Sequence, residues 1–407
     1  MLTKHPMSIT GAIATHRRYI LLALTSFVLF WVILYSYGDR IDLASIHYPG
    51  SHHSKENNTL ITIDATKESD GALIPNYLHL IYALKDPKSS FNFHFKDYLS
   101  LYGAQHHWHP DRVYLHTNAD KEALDRGRSG ESGKWTQLIL NHPNLIIHNI
   151  ELQETAGNGL TIQRMEAQTD FVRAKVLNDI GGYYIDFDVH ALRDIAPLRH
   201  SGYKAVVGIE AGGAVNLGVL LTAPRSQMIK QWVEGMNAAF DGSYVQHANG
   251  VCSKIRDHLE GVDSELLVVN QGSFHPVEWS DGDKGKRGLF RNYDLDDGTF
   301  TNNLTTFNDG DPLPDFAAEQ DVDHTTWNAA DSYKGPEWAK EWLWTKSYTL
   351  HAFRPHTDVF DSFGLEHISP RYVLERRSNY ARAVYPMALD MYRRGIISVH
   401  DTYTGLP

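Results

Sequence analysis

Gly181-Gly182-Tyr183-Tyr184-Ile185-Asp186-Phe187-Asp188-Val189-His190 is the stretch whose reading decides the fold. Tyr183, Tyr184 and Ile185 favour extended backbone and run into Asp-x-Asp. Side chains alternate along a strand, so a strand continued through the motif puts Asp186 and Asp188 on one side. With no Lys or Arg beside them, two such carboxylates repel each other, and a divalent cation shared with a substrate diphosphate relieves that repulsion. The pair therefore points to a metal–diphosphate site. Taken alone, it reads equally as a strand end with two solvated aspartates.

The residues upstream favour the first reading. Met165, Ala167, Phe171, Val172, Val176, Leu177 and Ile180 recur at helical spacing, and Gly181-Gly182 supplies the stop. The unit is helix, Gly-Gly, strand, Asp-x-Asp. Asp170 and Arg173, three apart on one helix face, are either a solvated ion pair of little worth or two polar groups aimed at a ligand.

Ala167, Asp170, Arg173, Leu177, Gly181, Gly182, Tyr184, Asp186 and Asp188 together resemble the signature of Asp-x-Asp sugar transferases of glycosyltransferase family 32. These are related to the yeast initiating α-1,6-mannosyltransferase and to α-1,4-galactosyl- and N-acetylglucosaminyltransferases. The likeness covers roughly residues 74 to 225, with weaker echoes at 270 to 279 and 348 to 354. It implies an α/β fold of the GT-A type, with a Rossmann-like, mixed and largely parallel sheet flanked by helices. It also implies a nucleotide-sugar donor (GDP-mannose or a UDP-sugar), Mn²⁺ or another divalent cation, a glycan or glycolipid acceptor, and transfer with retention. On the matching positions it implies Asp188 as principal metal ligand and Asp186 as sharing the metal and ribose contacts. Asp170, Arg173 and Tyr184 would lie on the donor side.

Composition agrees with an enzyme of this size. The 407 residues hold one large catalytic domain plus appendages, and 42% hydrophobic with 11% aromatic residues marks a globular chain. A formal net charge of −11 with no basic stripe argues against a nucleic-acid partner and suits cations. Cys252, the single cysteine, allows no intrachain disulfide.

Residues 1–18 are short and basic (Lys4, Arg17, Arg18) and precede an uncharged apolar run, 19–37, long enough to span a bilayer as a helix. Positive charge on the N-terminal side predicts a cytosolic tail, a transmembrane signal anchor and a lumenal remainder, a single-pass type II protein of the Golgi membrane or the ER. The run is longer than a signal-peptide core and Tyr35-Ser36-Tyr37 is a poor cleavage site. Residues 38–72 read as a stem. The sequons at Asn57 and Asn303 would face the lumen.

The catalytic domain is expected over 73–407. Ile74 to Ile81, Arg112 to His116 and Asn144 to Ile150 are strand candidates, with a helix at Lys134 to Asn141 between the last two. Such alternation predicts a parallel sheet with ligands beyond the strands' C-terminal ends. After the motif come a strand at Lys204 to Ile209, a glycine-punctuated apolar run Gly212 to Leu221, and an amphipathic helix Arg225 to Ala239. Asn216 in that run resembles the family's asparagine facing donor or acceptor sugar, and reads equally as a turn former. Phe274-His275-Pro276 is similar to a segment near the family's acceptor pocket. His351 lies in a stretch resembling the late histidine segment of GT-A enzymes, which implies an imidazole that completes the metal shell. The region from about 278 to 345, crowded with Asp, Gly and Asn and carrying four tryptophans towards its end, reads as a loop-rich acidic insert. Tyr380 to Arg394 reads as a helix broken near Pro386.

Three functions follow from different classes. The first is a membrane-anchored retaining sugar transferase. The second is a haloacid-dehalogenase-type phosphatase, whose aspartyl nucleophile also ends a strand at Asp-x-Asp. The third is a sugar-binding protein on the same fold without turnover.

Overall fold

A computed structural model of the chain describes residues 72–279, 285–290, 347–353, 367–376 and 378–406; of residues 286 and 287 it describes the backbone alone. The anchor at 19–37, the stem, both sequons, the four tryptophans and most of the acidic insert lie outside the described residues. Among the described residues no helix is long and apolar enough to cross a membrane.

Seven strands form one sheet in the order β3-β2-β1-β4-β7-β6-β8. They are β1 (Tyr77–Ile81), β2 (Arg112–Thr117), β3 (Leu145–Asn149), β4 (Gly182–Ile185), β6 (Ala205–Ile209), β7 (Val215–Thr222) and β8 (Leu266–Val269). β1 pairs in parallel with β2 and β4, and β3 with β2, whereas β7 runs antiparallel to both neighbours and β8 is parallel to β6. Six strands thus share a direction and β7 alone opposes them, the mixed, largely parallel sheet expected from the sequence. Strands in such a sheet are buried on both faces, which is why β4 and β7 are buried along their whole length. A second, two-stranded antiparallel sheet joins β5 (Val189–Ala191) to β9 (Thr349–His351).

The helix Met165–Ile180 has the bounds read from its periodicity. Its stop is steric as well as conformational: Gly181 and Gly182 have φ of 69° and 117°. A Cβ on Gly182 would sit 2.4 Å from the Tyr77 carbonyl oxygen, and one on Gly181 2.5 Å from the Pro224 ring. Only two glycines let the chain turn off the helix and enter the sheet beside β1. The helix expected from Arg225 begins two residues later, at Gln227, where the Ser226 hydroxyl accepts from the Ile229 amide as an N-cap.

One expectation fails at the C-terminal helix. Asn379–Arg393 is continuous and carries Pro386 in its interior. A mid-helix proline costs about 3 kcal/mol. Here residues on either side of it, from Tyr380 through Met391, are almost all buried, and packing on that scale outweighs one missing backbone bond.

Candidate metal and diphosphate site

The Asp-x-Asp motif is brought together by a turn rather than by strand alternation. β4 ends at Ile185, and the Val189 amide donates to the Asp186 carbonyl at 3.0 Å, closing a tight turn over 186–189 before β5 begins. Phe187 anchors the turn, its ring 5.1 Å from Phe93 and 6.3 Å from Tyr82. The two carboxylates are neighbours as expected, but a turn and not extended backbone brings them together: the Asp186 amide makes the last bond to β7, donating to Gly218 at 3.0 Å, and the chain then leaves the sheet.

An irregularity in β7 shapes the site. β6 and β7 shift register between Val207 and Gly208, so that Val207 faces Leu220 while Gly208 faces Asn216. Leu217, Gly218 and Val219 bow out of the β6 ladder, as in a bulge. Their carbonyls turn to the site: the Asp186 amide donates to Gly218 and Arg173 Nη1 donates to Leu217, both at 3.0 Å.

Arg173 supplies the cation that the motif itself lacks. Its Nη2 donates to Asp186 Oδ1 at 3.1 Å and to the Tyr184 hydroxyl oxygen at 3.2 Å, and lies 3.4 Å from Asp170 Oδ1. The guanidinium also covers the Tyr184 ring at 4.1 Å. Tyr184 donates to the same Asp186 oxygen at 2.5 Å, and Asp170 Oδ2 meets His247 Nε2 at 3.0 Å. The Asp170–Arg173 pair is therefore buried and part of a network, not a solvated surface pair. Arg173, Tyr184 and Asp170 together hold Asp186 in place. Burial raises the pKa of Asp186, and Arg173 opposes the rise more than Asp188 adds to it. Burial likewise pushes the Tyr184 phenol well up, so it stays a hydrogen-bond donor.

Asp188 faces the last element to arrive. The β5–β9 register sets His351 opposite Val189, and the Ala352 amide donates to the Asp188 carbonyl at 2.9 Å. His351 Nε2 lies 3.4 Å from Asp188 Oδ1. Burial alone would lower the imidazole pKa, but the carboxylates of Asp188, Asp186 and Glu210 outweigh it and the net shift is upward. One ligand atom each from Asp186, Asp188 and His351 fall within 4.8 Å of one another, and no other such group exists among the described residues. Two carboxylate oxygens and one imidazole nitrogen suit an Mn²⁺-type ion. With Asp170, Asp186 and Asp188 set against the single guanidinium of Arg173, the fixed charge remains in favour of a cation.

Two further residues border the group, His275 from the segment noted in the sequence and Glu210, which the sequence context did not mark. His275, fully buried, puts Nδ1 at 3.1 Å from His351 Nδ1, so the Phe274-His275-Pro276 segment backs the candidate ligand. Glu210 accepts from Asn216 Nδ2 at 2.7 Å, and burial raises its pKa. Asn216, read from the sequence as either a sugar-facing residue or a turn former, donates through Nδ2 to Glu210 and accepts at Oδ1 from the Gly218 amide at 2.8 Å. It braces the bulge. Two glycines make room for the histidine pair. A Cβ on Gly218 would lie 2.5 Å from His351 Cε1, and one on Gly208 2.8 Å from Phe274 Cδ2 and 3.0 Å from His275 Cδ2.

Comparison with known proteins agrees with the motif. Residues 100–204 match the family model described as a glycosyltransferase sugar-binding region containing a DXD motif. No curated protein matches the chain. Among solved structures, the PaToxG glycosyltransferase is 15% identical with a TM-score of 0.33, over 47% of this chain and 72% of that one. The galactosyltransferase LgtC, in complex with donor and acceptor sugar analogs, is 16% identical with a TM-score of 0.31, over 48% and 74%. The apo form of the glycosyltransferase GlyE from Streptococcus pneumoniae TIGR4 is 11% identical with a TM-score of 0.30, over 47% and only 45% of its length. At these TM-scores the likenesses carry no weight for chemistry. The matched family region does, because Asp186-Phe187-Asp188, Arg173 and Tyr184 all lie within the stretch of this chain that resembles a glycosyltransferase sugar-binding region.

Proposed function

We propose that this chain is a cation-dependent glycosyltransferase that moves a hexosyl group, mannose or a galactose-type sugar, from GDP-mannose or a UDP-sugar to a glycan or glycolipid with retention of configuration. The observation that carries the reading is the convergence of Asp186, Asp188 and His351 from a turn and a distant strand inside a carboxylate-rich environment. Bound there, Mn²⁺ or a similar ion supplies Lewis-acid stabilisation of the departing nucleoside diphosphate. The protein's own residues do the rest. Tyr184 and Arg173 hold the Asp186 carboxylate, Asp170 pairs with Arg173, and Asp186, Asp188 and His351 are the residues that would hold the ion.

Retention rests on the family resemblance and on the absence from the motif region of a carboxylate marked as an opposite-face base. Nothing in the geometry favours the phosphatase reading, in which Asp186 would attack phosphorus, since its Oδ1 already accepts from Tyr184 and Arg173. A nucleotide-sugar panel with Mn²⁺ should yield an α-linked product from an α-linked donor, read from the anomeric proton coupling. A β-linked product would overturn retention and direct attention to Glu210, and donor turnover absent across the whole panel would favour the sugar-binding reading. The same proposal places the chain at the Golgi or ER membrane through residues 19–37. Protease treatment of sealed microsomes should leave the domain beyond residue 73 intact, and its digestion without detergent would refute that topology.

A further inference from the structure

We infer that His275 is the positioning residue that sets the tautomer of His351 and so decides whether its Nε2 can bind a cation; this rests on the cation-site reading above. His351 Nδ1 and His275 Nδ1 lie 3.1 Å apart in a fully buried setting, and a contact of that length between ring nitrogens holds one hydrogen. If the hydrogen belongs to His275, a neutral His351 carries its own on Nε2, and the face turned to Asp188 has no lone pair to give a metal. If it belongs to His351, Nε2 bears the lone pair and His275 Nδ1 accepts. Only the second arrangement makes a ligand, and the oxygens of Asp186 and Asp188 around Nε2 are where a cation would select it.

The surroundings show that the pair is built rather than incidental. Phe353 stacks on His351 with ring centroids 3.9 Å apart. Thr349 donates through Oγ1 to the Phe274 carbonyl at 2.9 Å, and the Tyr348 amide to the Ser273 carbonyl at 2.8 Å. These bonds stitch β9 to the segment carrying His275. The strand beneath His351 is glycine where the ring packs, at Gly218, and Gly208 leaves room for Phe274 and His275 together. An imidazole that merely filled space would need neither clearance nor a partner nitrogen aligned with its own.

The test compares three substitutions in the full chain. His275→Asn keeps an amide oxygen near the Nδ1 position, His275→Gln reaches instead to the Nε2 position, and His275→Leu keeps the volume but offers no acceptor. Mn²⁺ binding is read from loss of the free-ion electron paramagnetic resonance signal, with thermal melting as a check on folding. Wild type should bind, His275→Asn should bind within about threefold of it, and His275→Gln and His275→Leu should each bind about 10–100-fold more weakly while melting cooperatively, the range usual for loss of an outer-shell partner. Nitrogen-15 shifts of the histidine rings with Mg²⁺ as a diamagnetic probe should report His351 as the Nδ1–H tautomer in wild type. Equal Mn²⁺ affinity in wild type and His275→Leu, or a His351 protonated on Nε2 with the cation bound, would overturn the inference and leave the site reading intact. A wild-type chain that binds no Mn²⁺ would overturn both.

Discussion

Gly218 is the residue at which one methyl group should matter most. The site it would invade is the imidazole of His351, already fixed by His275, Phe353 and the β5–β9 register, so the ring has no free end to swing aside. Gly218→Ala should destabilise the fold by about 1–3 kcal/mol, the usual overpacking range, and weaken Mn²⁺ binding by about tenfold or more through displacement of His351. Chemical denaturation and metal titration on the same sample check both. Unchanged metal affinity beside the expected destabilisation would remove His351 from the coordination shell. At this scale the sequence was informative where chemistry is local: Asp186, Asp188 and Tyr184 announce themselves within five residues. It was blind where chemistry is distant. His275 and His351 are separated by 76 residues, and no spacing rule joins them. The contacts of Arg173 with Asp186 and Tyr184 were hidden for the same reason, since how a helix docks on a sheet decides which carboxylate a guanidinium meets.

Between elements, the first three strands are tied by a row of histidines as well as by their backbone ladder. His79 Nδ1 meets His116 Nε2 at 2.9 Å, His116 Nδ1 meets His148 Nδ1 at 2.8 Å, and His79 Nε2 meets the Gly181 carbonyl at 2.8 Å. Because that carbonyl only accepts, His79 carries its proton on Nε2, and each next ring must donate inward in turn. Burial lowers the His79 pKa to about 4. As pH falls from 6.5 towards 4 the unfolded imidazole takes up a proton that the folded one does not, so stability present above 6.5 is lost across that window, with a slope of up to about 1.4 kcal/mol per pH unit. His79→Leu should make the pH dependence of the unfolding free energy between pH 7 and 5 shallower by up to that amount, as urea titrations at several pH values will show. An unaltered slope would mean that His79 does not contribute to it. Periodicity predicted the 165–180 helix to the residue and the parallel strands to within a few. It missed the 186–189 turn and the β7 bulge, because both are set by what a neighbouring strand leaves unpaired. It also broke the last helix at Pro386, where burial on both sides of the proline overrides its local preference.

For the whole molecule, a net charge of −11 gathers to a use at one place. Asp170, Asp186, Asp188 and Glu210 come from a helix, a turn and the β6–β7 connection and converge where β9 delivers His351, with one arginine among them. An acidic chain that concentrates carboxylates in this way is suited to capture a cation and, through it, a diphosphate that bare carboxylates would repel. The largely parallel sheet and the site at its strand ends were legible from alternation of strands and helices, whereas the second sheet that completes the site was not, since each of its strands is only three residues long. The central claim is that Asp186, Asp188 and His351 bind a nucleoside diphosphate through a divalent cation. Calorimetric titration of the full chain with UDP and with GDP, in Mn²⁺ and in excess chelator, tests it most directly, alongside Asp188→Ala. Binding of one nucleotide that requires Mn²⁺ and falls at least about tenfold in the variant is the predicted result; binding equally tight in chelator, or unimpaired in Asp188→Ala, would contradict it.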